Sequence, residues 1–285
     1  MITDNYKLNN GVLIPKIGFG TWLVSNEDTA QFVEQALAQG YRHIDTAEAY
    51  GNEKGVGQAI KNSGIERKDI FIATKLQAEI KDYEGARQAI AESLDALDVD
   101  YIDLMLIHGP KPWDKYSEED RCFAGNLAVW QALEEAYQTG KIKAIGVSNF
   151  EIVDLKNLLN HAKTKPMVNQ ILSHIGNTPL DLIKFSQKED ILVEAYSPLG
   201  HGDMFANQDV ATIAAKYQIS IAQLAVRYLL QLELLPLPKA SSIDHMQNNA
   251  SVDFVISNED MDQLKQIDSL RYSKDTQVFP VYRDN

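Results

Sequence analysis

The sequence predicts an α/β fold, a (β/α)8 TIM barrel, and three observations carry that expectation. Short runs rich in β-branched and other apolar residues recur along all 285 residues, each followed by a segment with helical spacing. Apolar-throughout runs suit strands buried on both faces, and their alternation with helices implies parallel neighbours joined by right-handed crossovers. There are eight such pairs, which is the size and count of the barrel rather than of the competing doubly wound sheet.

In order, "KIGFGT" leads into "EDTAQFVEQALAQG", "YRHID" into "NEKGVGQAIKNSG", and "DIFIATK" into "EGARQAIAESLDAL". "YIDLMLIH" precedes "NLAVWQALEEAYQTG", "IKAIGVSN" precedes "EIVDLKNLLNHA", and "KPMVNQ" precedes "TPLDLIKFSQKED". "ILVEAYSP" with "DVATIAAKYQ" and "LLPLPK" with "SIDHMQNNASV" complete the set. Ahead of the first pair, "YKLNNGVLIP" reads as an N-terminal β-hairpin turning at Asn9, Asn10 and Gly11, placed to plug the bottom of the barrel. No Pro/Gly/Ser-rich linker or low-complexity tract breaks the alternation, so residues 1–285 read as a single domain. Three long loops, "GPKPWDKYSEEDRCFAG", "LGHGDMFANQ" and the tail 271–285, are candidates to shape a site on the C-terminal face.

Composition narrows the function classes. A net charge of -13 repels nucleic acid and anionic membranes. No stretch reaches the roughly 20 apolar residues of a membrane span, and the N-terminus lacks a signal-peptide layout. Cys122 is the single cysteine, which excludes an intrachain disulfide and a thiolate zinc cluster. The expectation is a soluble cytoplasmic protein, a monomer, acting on a small molecule.

In a barrel of this kind the chemistry lies at the C-terminal ends of the strands. The second run ends in Asp45, the third in Lys75, the fourth in His108; Ser148, Asn149, Asn169, Gln170, Tyr196, Ser197 and Lys239 close the others, and Tyr50 follows Asp45 in a polar turn. Singly, each has a bland role: a helix cap for Asp45, a snorkelling lysine, a core histidine, a packing tyrosine. Together they form a reactive set, because burying Asp45 and Lys75 is tolerable only as a pair. A lysine ammonium beside the Tyr50 phenol is expected to lower its pKa from about 10 and make it a usable proton donor. A neutral His108 could aim a carbonyl oxygen at it. His43 reads as a support behind the site. The set protonates oxygen but attacks no carbon, so a hydride donor is required, and no G-x-G-x-x-G opens a helix after a strand.

The motifs "GFGTW", "YRHIDTAEAYGNE", "ATKL", "LMLIHGP", "AIGVSNF", "VNQ", "AYSPLG" and "LPK" followed by "NNA" resemble, in order and spacing, those of the aldo-keto reductases. The resemblance runs from about Leu8 to Phe254, and prokaryotic members similar to 2,5-diketo-D-gluconate reductases and glyoxal or methylglyoxal reductases match best. It implies a catalytic tetrad of Asp45, Tyr50, Lys75 and His108, with Tyr50 as general acid. It implies that Ser148, Asn149 and Gln170 hold a nicotinamide carboxamide and that Tyr196 stacks on the ring. Thr21, Trp22 and Asp45 fall where the family contacts ribose or lines the pocket; Ser197, Leu199 and Gly200 match its pyrophosphate loop. Lys239 corresponds to the lysine that meets the 2'-phosphate of NADP, with Ser241 or Ser242 beside it.

The departures lie around the pocket. His108-Gly109-Pro110 stands for the usual His-Trp-Pro, and Leu76-Gln77 for Leu-Trp, so a substrate pocket lined by Trp22, Gln77 and Trp113 loses aromatic walls that Trp113 could partly refill. His245 replaces the arginine that grips the 2'-phosphate, and Asn248 replaces an adenine-contacting acid while Asn249 is kept. NADP(H) is favoured, with NAD(H) possible. The expected reaction is reduction of a small dicarbonyl, aldehyde or keto sugar to the alcohol. Two other readings stand beside it: a cofactor-binding regulatory module with little turnover, and a Schiff-base aldolase using Lys75. The latter needs an uncharged lysine, which an Asp45 partner disfavours. Metal hydrolysis is weaker still, since His43 and Asp45 alone share ligand spacing.

Overall fold

A computed structural model describes residues 2–117, 119–267, 272, 277 and 280–282. Eight parallel strands pair in chain order: β3 (Phe19–Gly20), β4 (His43–Asp45), β5 (Phe71–Leu76), β6 (Ile102–Ile107), β7 (Ile142–Ser148), β8 (Val168–Leu172), β9 (Leu192–Tyr196) and β10 (Leu235–Leu237). Gly18 and Gly20 donate their amide N–H groups to Pro236 and Pro238 carbonyls at 3.1 and 3.2 Å, tying the last strand to the first. A Cβ on Gly18 would lie 2.5 Å from Leu237 Cδ2 and 2.8 Å from His43 Nδ1, so only glycine admits this close approach. The central strands β5 and β6 are buried almost end to end, as their unbroken apolar runs require.

Helices α1 (Asn26–Ala38), α2 (Glu53–Asn62), α3 (Tyr83–Leu97), α4 (Phe123–Gln138), α5 (Ile152–His161), α6 (Leu180–Lys188) and α7 (Gln208–Lys216) follow the strands in turn. Their starts are set chemically: Ser25 and Asp82 accept from Asp28 N–H and Gly85 N–H at the beginnings of α1 and α3. Two helices lie outside the eight expected pairs, α8 (Ile221–Gln231) and α10 (Asn258–Lys265), on either side of α9 (Ile243–Ala250). α8 opens on a Ser220/Gln223 capping box and buries Leu224, Tyr228 and Leu229 in a second apolar cluster with Val193 and Met261. The first expected strand is also shorter than its apolar run, because only Phe19–Gly20 pairs.

The N-terminal hairpin joins β1 (Asn5–Lys7) to antiparallel β2 (Leu13–Pro15), with Gly11 at φ +90° in its turn. Asn9 Nδ2 donates to Pro166 and Asp190 carbonyls, and Asn10 Nδ2 to Lys143 O. Pro166 and Asp190 precede β8 and β9, so the hairpin closes the N-terminal mouth and leaves the other rim for chemistry. Of the expected tail, Val281 and Tyr282 lie on that other rim; most of 271–285 is outside the described residues. Among the described residues, no helix is long and apolar enough to cross a bilayer.

Candidate active site

A cavity of about 500 Å³ opens at the C-terminal ends of the strands, and Asp45, Tyr50, His108, Ser148, Gln170 and Tyr196 line it. Each arrives on its own strand or just after it: Asp45 ends β4, His108 follows β6, Ser148 ends β7, Gln170 lies within β8 and Tyr196 ends β9. Tyr50 comes from a 3-10 turn, Glu48–Tyr50, closed by Gly51 at φ +67°. Asn52 holds that turn against the first loop, accepting from Thr46 Oγ and donating to Thr21 O and Val24 O.

Lys75 is fully buried beneath the cavity and does not line it. Its Nζ donates to Asp45 Oδ1 at 2.7 Å, Asp45 Oδ2 at 2.9 Å and Thr46 O at 2.7 Å, which uses all three N–H bonds of an ammonium. The same Nζ sits 5.1 Å from the centroid of the Tyr50 ring. The expected depression of the Tyr50 pKa is not found. Burial first, and the Asp45 carboxylate second, push the phenol well above its ordinary range. The physical reason is that Lys75 spends its charge on Asp45, so the phenol meets a nearly neutral pair inside a medium that penalises phenolate.

His108 behaves as expected. Burial, then the Lys75 charge, hold its imidazole well below the ordinary pKa, so it is neutral. Its ring meets Tyr50 edge to face at 5.6 Å and Trp113 at 4.5 Å. A Cβ on Gly109 would come 3.1 Å from Trp113 Nε1, so Trp113 fills the space beside the glycine that replaces the family's tryptophan. Trp22 stacks on Tyr282 at 5.9 Å, and the Tyr282 hydroxyl shares a 2.7 Å hydrogen bond with Ser197 Oγ. Leu23, Phe205 and His201 complete this aromatic and apolar roof.

The polar groups on the opposite wall are nearly all committed. Asn149, at φ +62°, donates Nδ2 to His108 O and Ser148 Oγ, and its Oδ1 accepts from Tyr196. Gln170 Nε2 donates to Asp45 Oδ2 and Glu194 Oε2. What remains is one O–H donor, on Ser148, and one carbonyl acceptor, Gln170 Oε1. That pair matches a primary carboxamide, which offers one C=O and an NH2, and these residues therefore fit a nicotinamide.

Other sequence candidates are placed differently. Thr21 is buried and donates Oγ to Asp45 O, so it clamps the strand end below the cavity. Gln77 does not line the cavity either, because its Nε2 is held by Glu48 Oε1 at 2.9 Å. Ser197, Leu199 and Lys239 line the cavity, with Gly200 just behind at the start of a 3-10 segment, Gly200–Ala206. Ser241, Ser242 and His245 stand further out, at the start of α9, where Ser242 Oγ accepts from His245 N–H; Asn249 is buried in the same helix. Asn169 turns away and donates to Phe150 O.

Sequence reasoning missed Glu194, a fully buried carboxyl in β9. Burial and Asp45 push its pKa up to about 8. His43, whose imidazole burial holds at about 3, lies with Nε2 3.9 Å from Glu194 Oε1. The available signal was one acid inside the otherwise apolar run "ILVEAYSP", with no basic residue in that run.

Residues 16–269 match the model of the aldo/keto reductase family. The chain is 41% identical to glyoxal reductase of Bacillus subtilis strain 168 over 281 residues, covering 98% of this chain and 96% of that one. It superposes with a TM-score of 0.86 on an aldo-keto reductase from a Medee basin deep-sea metagenome library, at 40% identity over 93% of this chain and 95% of the other. A Bombyx mori aldo-keto reductase in complex with NADP gives a TM-score of 0.86 at 31% identity, covering 100% of both chains. With the tetrad side chains gathered on one rim of an eight-stranded barrel, the chain belongs to the aldo/keto reductase family and is an NAD(P)H-dependent carbonyl-reducing enzyme.

Proposed function

We propose that this enzyme reduces small dicarbonyls, aldehydes or keto sugars with NADPH, and that Tyr50 gives the proton. The observation that carries the reading is the convergence of Asp45, Lys75, Tyr50 and His108 beside a donor-acceptor pair suited to a carboxamide. A bound nicotinamide supplies the hydride. Tyr50 holds its proton at neutral pH because burial and Asp45 oppose its loss, and it releases that proton to the substrate oxygen as negative charge grows there. Such general-acid help is worth about 10²–10⁴ in rate. The same raised pKa means that alcohol oxidation, which needs the phenolate, would require a higher pH than reduction.

His108, kept neutral, donates a hydrogen bond that steers the carbonyl oxygen toward Tyr50. The Lys75–Asp45 pair fixes the floor, while Trp22, Trp113 and Tyr282 keep water out. Lys239 at the cavity edge and the NADP-bound Bombyx relative favour the phosphorylated cofactor, although His245 brings no fixed charge. The glyoxal reductase relative puts small dicarbonyls first among substrates. Residues 1–285 read as one domain, a cytoplasmic monomer partnered by neither nucleic acid nor membrane, in keeping with the charge of -13.

The test is oxidation of NADPH, and of NADH in parallel, against a panel of dicarbonyls, aldehydes and keto sugars. Consumption of NADPH with a small dicarbonyl is the expected result. Tight NADPH binding without turnover of any carbonyl would favour a regulatory module. Borohydride trapping of an imine on Lys75, with no nicotinamide dependence, would favour an aldolase.

A further inference from the structure

Gln170 is pinned from below by two carboxyl groups. Its Nε2 donates to Asp45 Oδ2 at 2.9 Å and to Glu194 Oε2 at 2.8 Å, and both acceptors are buried. A primary amide carries only two N–H bonds, so its donor end is spent. The reversed amide would point its oxygen at Asp45 and leave buried groups unmatched.

Glu194 lies directly across from Gln170 in the β8–β9 register. Its other oxygen, Oε1, has no hydrogen-bond partner, and the Lys75 ammonium is wholly committed to Asp45 and Thr46. This buried carboxyl therefore makes no ion pair with Lys75. Among the described residues its one hydrogen bond is the one it accepts from Gln170. Burial and the neighbouring Asp45 carboxylate push its pKa up to about 8, which favours the protonated carboxyl at neutral pH.

We propose that Glu194 is a positioning residue for cofactor binding: by taking the second N–H of Gln170, it turns Gln170 Oε1 to the cavity as the acceptor for the carboxamide N–H of the nicotinamide. This rests on reading the cavity as the nicotinamide site. Ser148 supplies the complementary donor to the carboxamide oxygen. The carboxamide is then recognised by its polarity as well as its shape, and a nicotinamide analogue that keeps the C=O but lacks the N–H is disfavoured.

The experiment compares NADPH with the reduced 3-acetylpyridine analogue of NADP, which has a methyl ketone in place of the carboxamide. Dissociation constants are measured by quenching of tryptophan fluorescence, without any carbonyl substrate, for the unmodified protein, Glu194→Gln and Glu194→Leu. The unmodified protein should prefer NADPH about tenfold, the effect of one lost hydrogen bond. Glu194→Gln should keep that preference, since its amide oxygen still accepts from Gln170. Glu194→Leu should bring the two ligands to near parity.

Retention of the full preference in Glu194→Leu, or equal weakening of both ligands in both variants, overturns the proposal. Should the leucine variant not fold, hydrogen exchange of the Gln170 side-chain amide in the unmodified, cofactor-free protein decides: two slow protons are predicted, and two freely exchanging protons contradict. Absence of NADPH binding to the unmodified protein would overturn the nicotinamide reading itself, a result distinct from a changed preference.

Discussion

The floor and the roof of the cavity are built on different physics. The floor is made by strand ends, and its groups are buried, charged or amide-bearing, and tied to one another: Lys75 to Asp45, Asp45 to Gln170, Gln170 to Glu194. The roof is made by loops and the tail, and it is aromatic: Trp22 on Tyr282, His201 against both, Trp113 on His108. A buried charge network is intolerant of change because each member satisfies its neighbour. An aromatic lid can be reshaped without stranding a charge. The difference predicts that changes to the floor alter the reaction itself and changes to the roof alter substrate choice.

The sharpest way to break the floor is Lys75→Met. It strands the Asp45 carboxylate in a buried site and should cost about 3–5 kcal/mol of stability, read as a lower urea midpoint, together with loss of carbonyl reduction near neutrality. The double variant Asp45→Asn/Lys75→Met should regain part of the stability and none of the activity. An unchanged midpoint in Lys75→Met would mean that the pair is not structural.

Next in size, His108→Gln should lower kcat/KM by about 10²-fold or more while leaving NADPH binding in place. Because the folded-state imidazole is held well below its usual 6.5, the unmodified enzyme should show no change in kcat/KM at that pH. A limb there would mean that His108 titrates.

The roof answers to Trp22→Ala. Selectivity between a bulky and a small carbonyl should change by about 1–3 kcal/mol, while kcat for the smallest dicarbonyl stays within a few-fold. Loss of turnover for every substrate alike would erase the distinction between the two regions.

How much of this was legible followed the same division. Asp45, His108, Ser148 and Tyr196 could be read because a barrel strand delivers its last residues to a known rim, so position in a run is position in space. Tyr282 could not, since its partner Ser197 is 85 residues away. Gln77 looked like a pocket wall because it stands where similar sequences carry a tryptophan after the strand-end lysine, but Glu48, from the turn that carries Tyr50, holds it aside. Glu194 was hidden inside an apolar run. The direction of the Tyr50 shift depended on how Lys75 distributes three hydrogen bonds, which spacing does not encode. The helices α8 and α10 were spaced as helices, yet fell between and after the eight pairs.

Glu194→Gln sharpens the floor through pH. A carboxyl raised from 4.5 to about 8 binds more protons folded than unfolded between those values, so its contribution is whole below about 4.5 and is lost as pH rises through 8. The glutamine variant should therefore lose less stability between pH 5 and 9, by about 4 kcal/mol, measured by urea titration at each pH. The same slope in both proteins would mean that Glu194 does not titrate there. The smallest effect lies outside both regions: His245→Arg, on the exposed start of α9, should tighten NADPH relative to NADH by at most about 1 kcal/mol. Unchanged relative affinity would remove that position from the cofactor site.

The central claim, that the cavity-lining Tyr50 phenol delivers the proton, is met most directly by Tyr50→Phe assayed in two ways on one preparation: NADPH binding by fluorescence, and NADPH oxidation with a small dicarbonyl. Binding within about twofold of the unmodified enzyme and turnover reduced by about 10²-fold or more is the predicted result. Intact binding with undiminished turnover would contradict it.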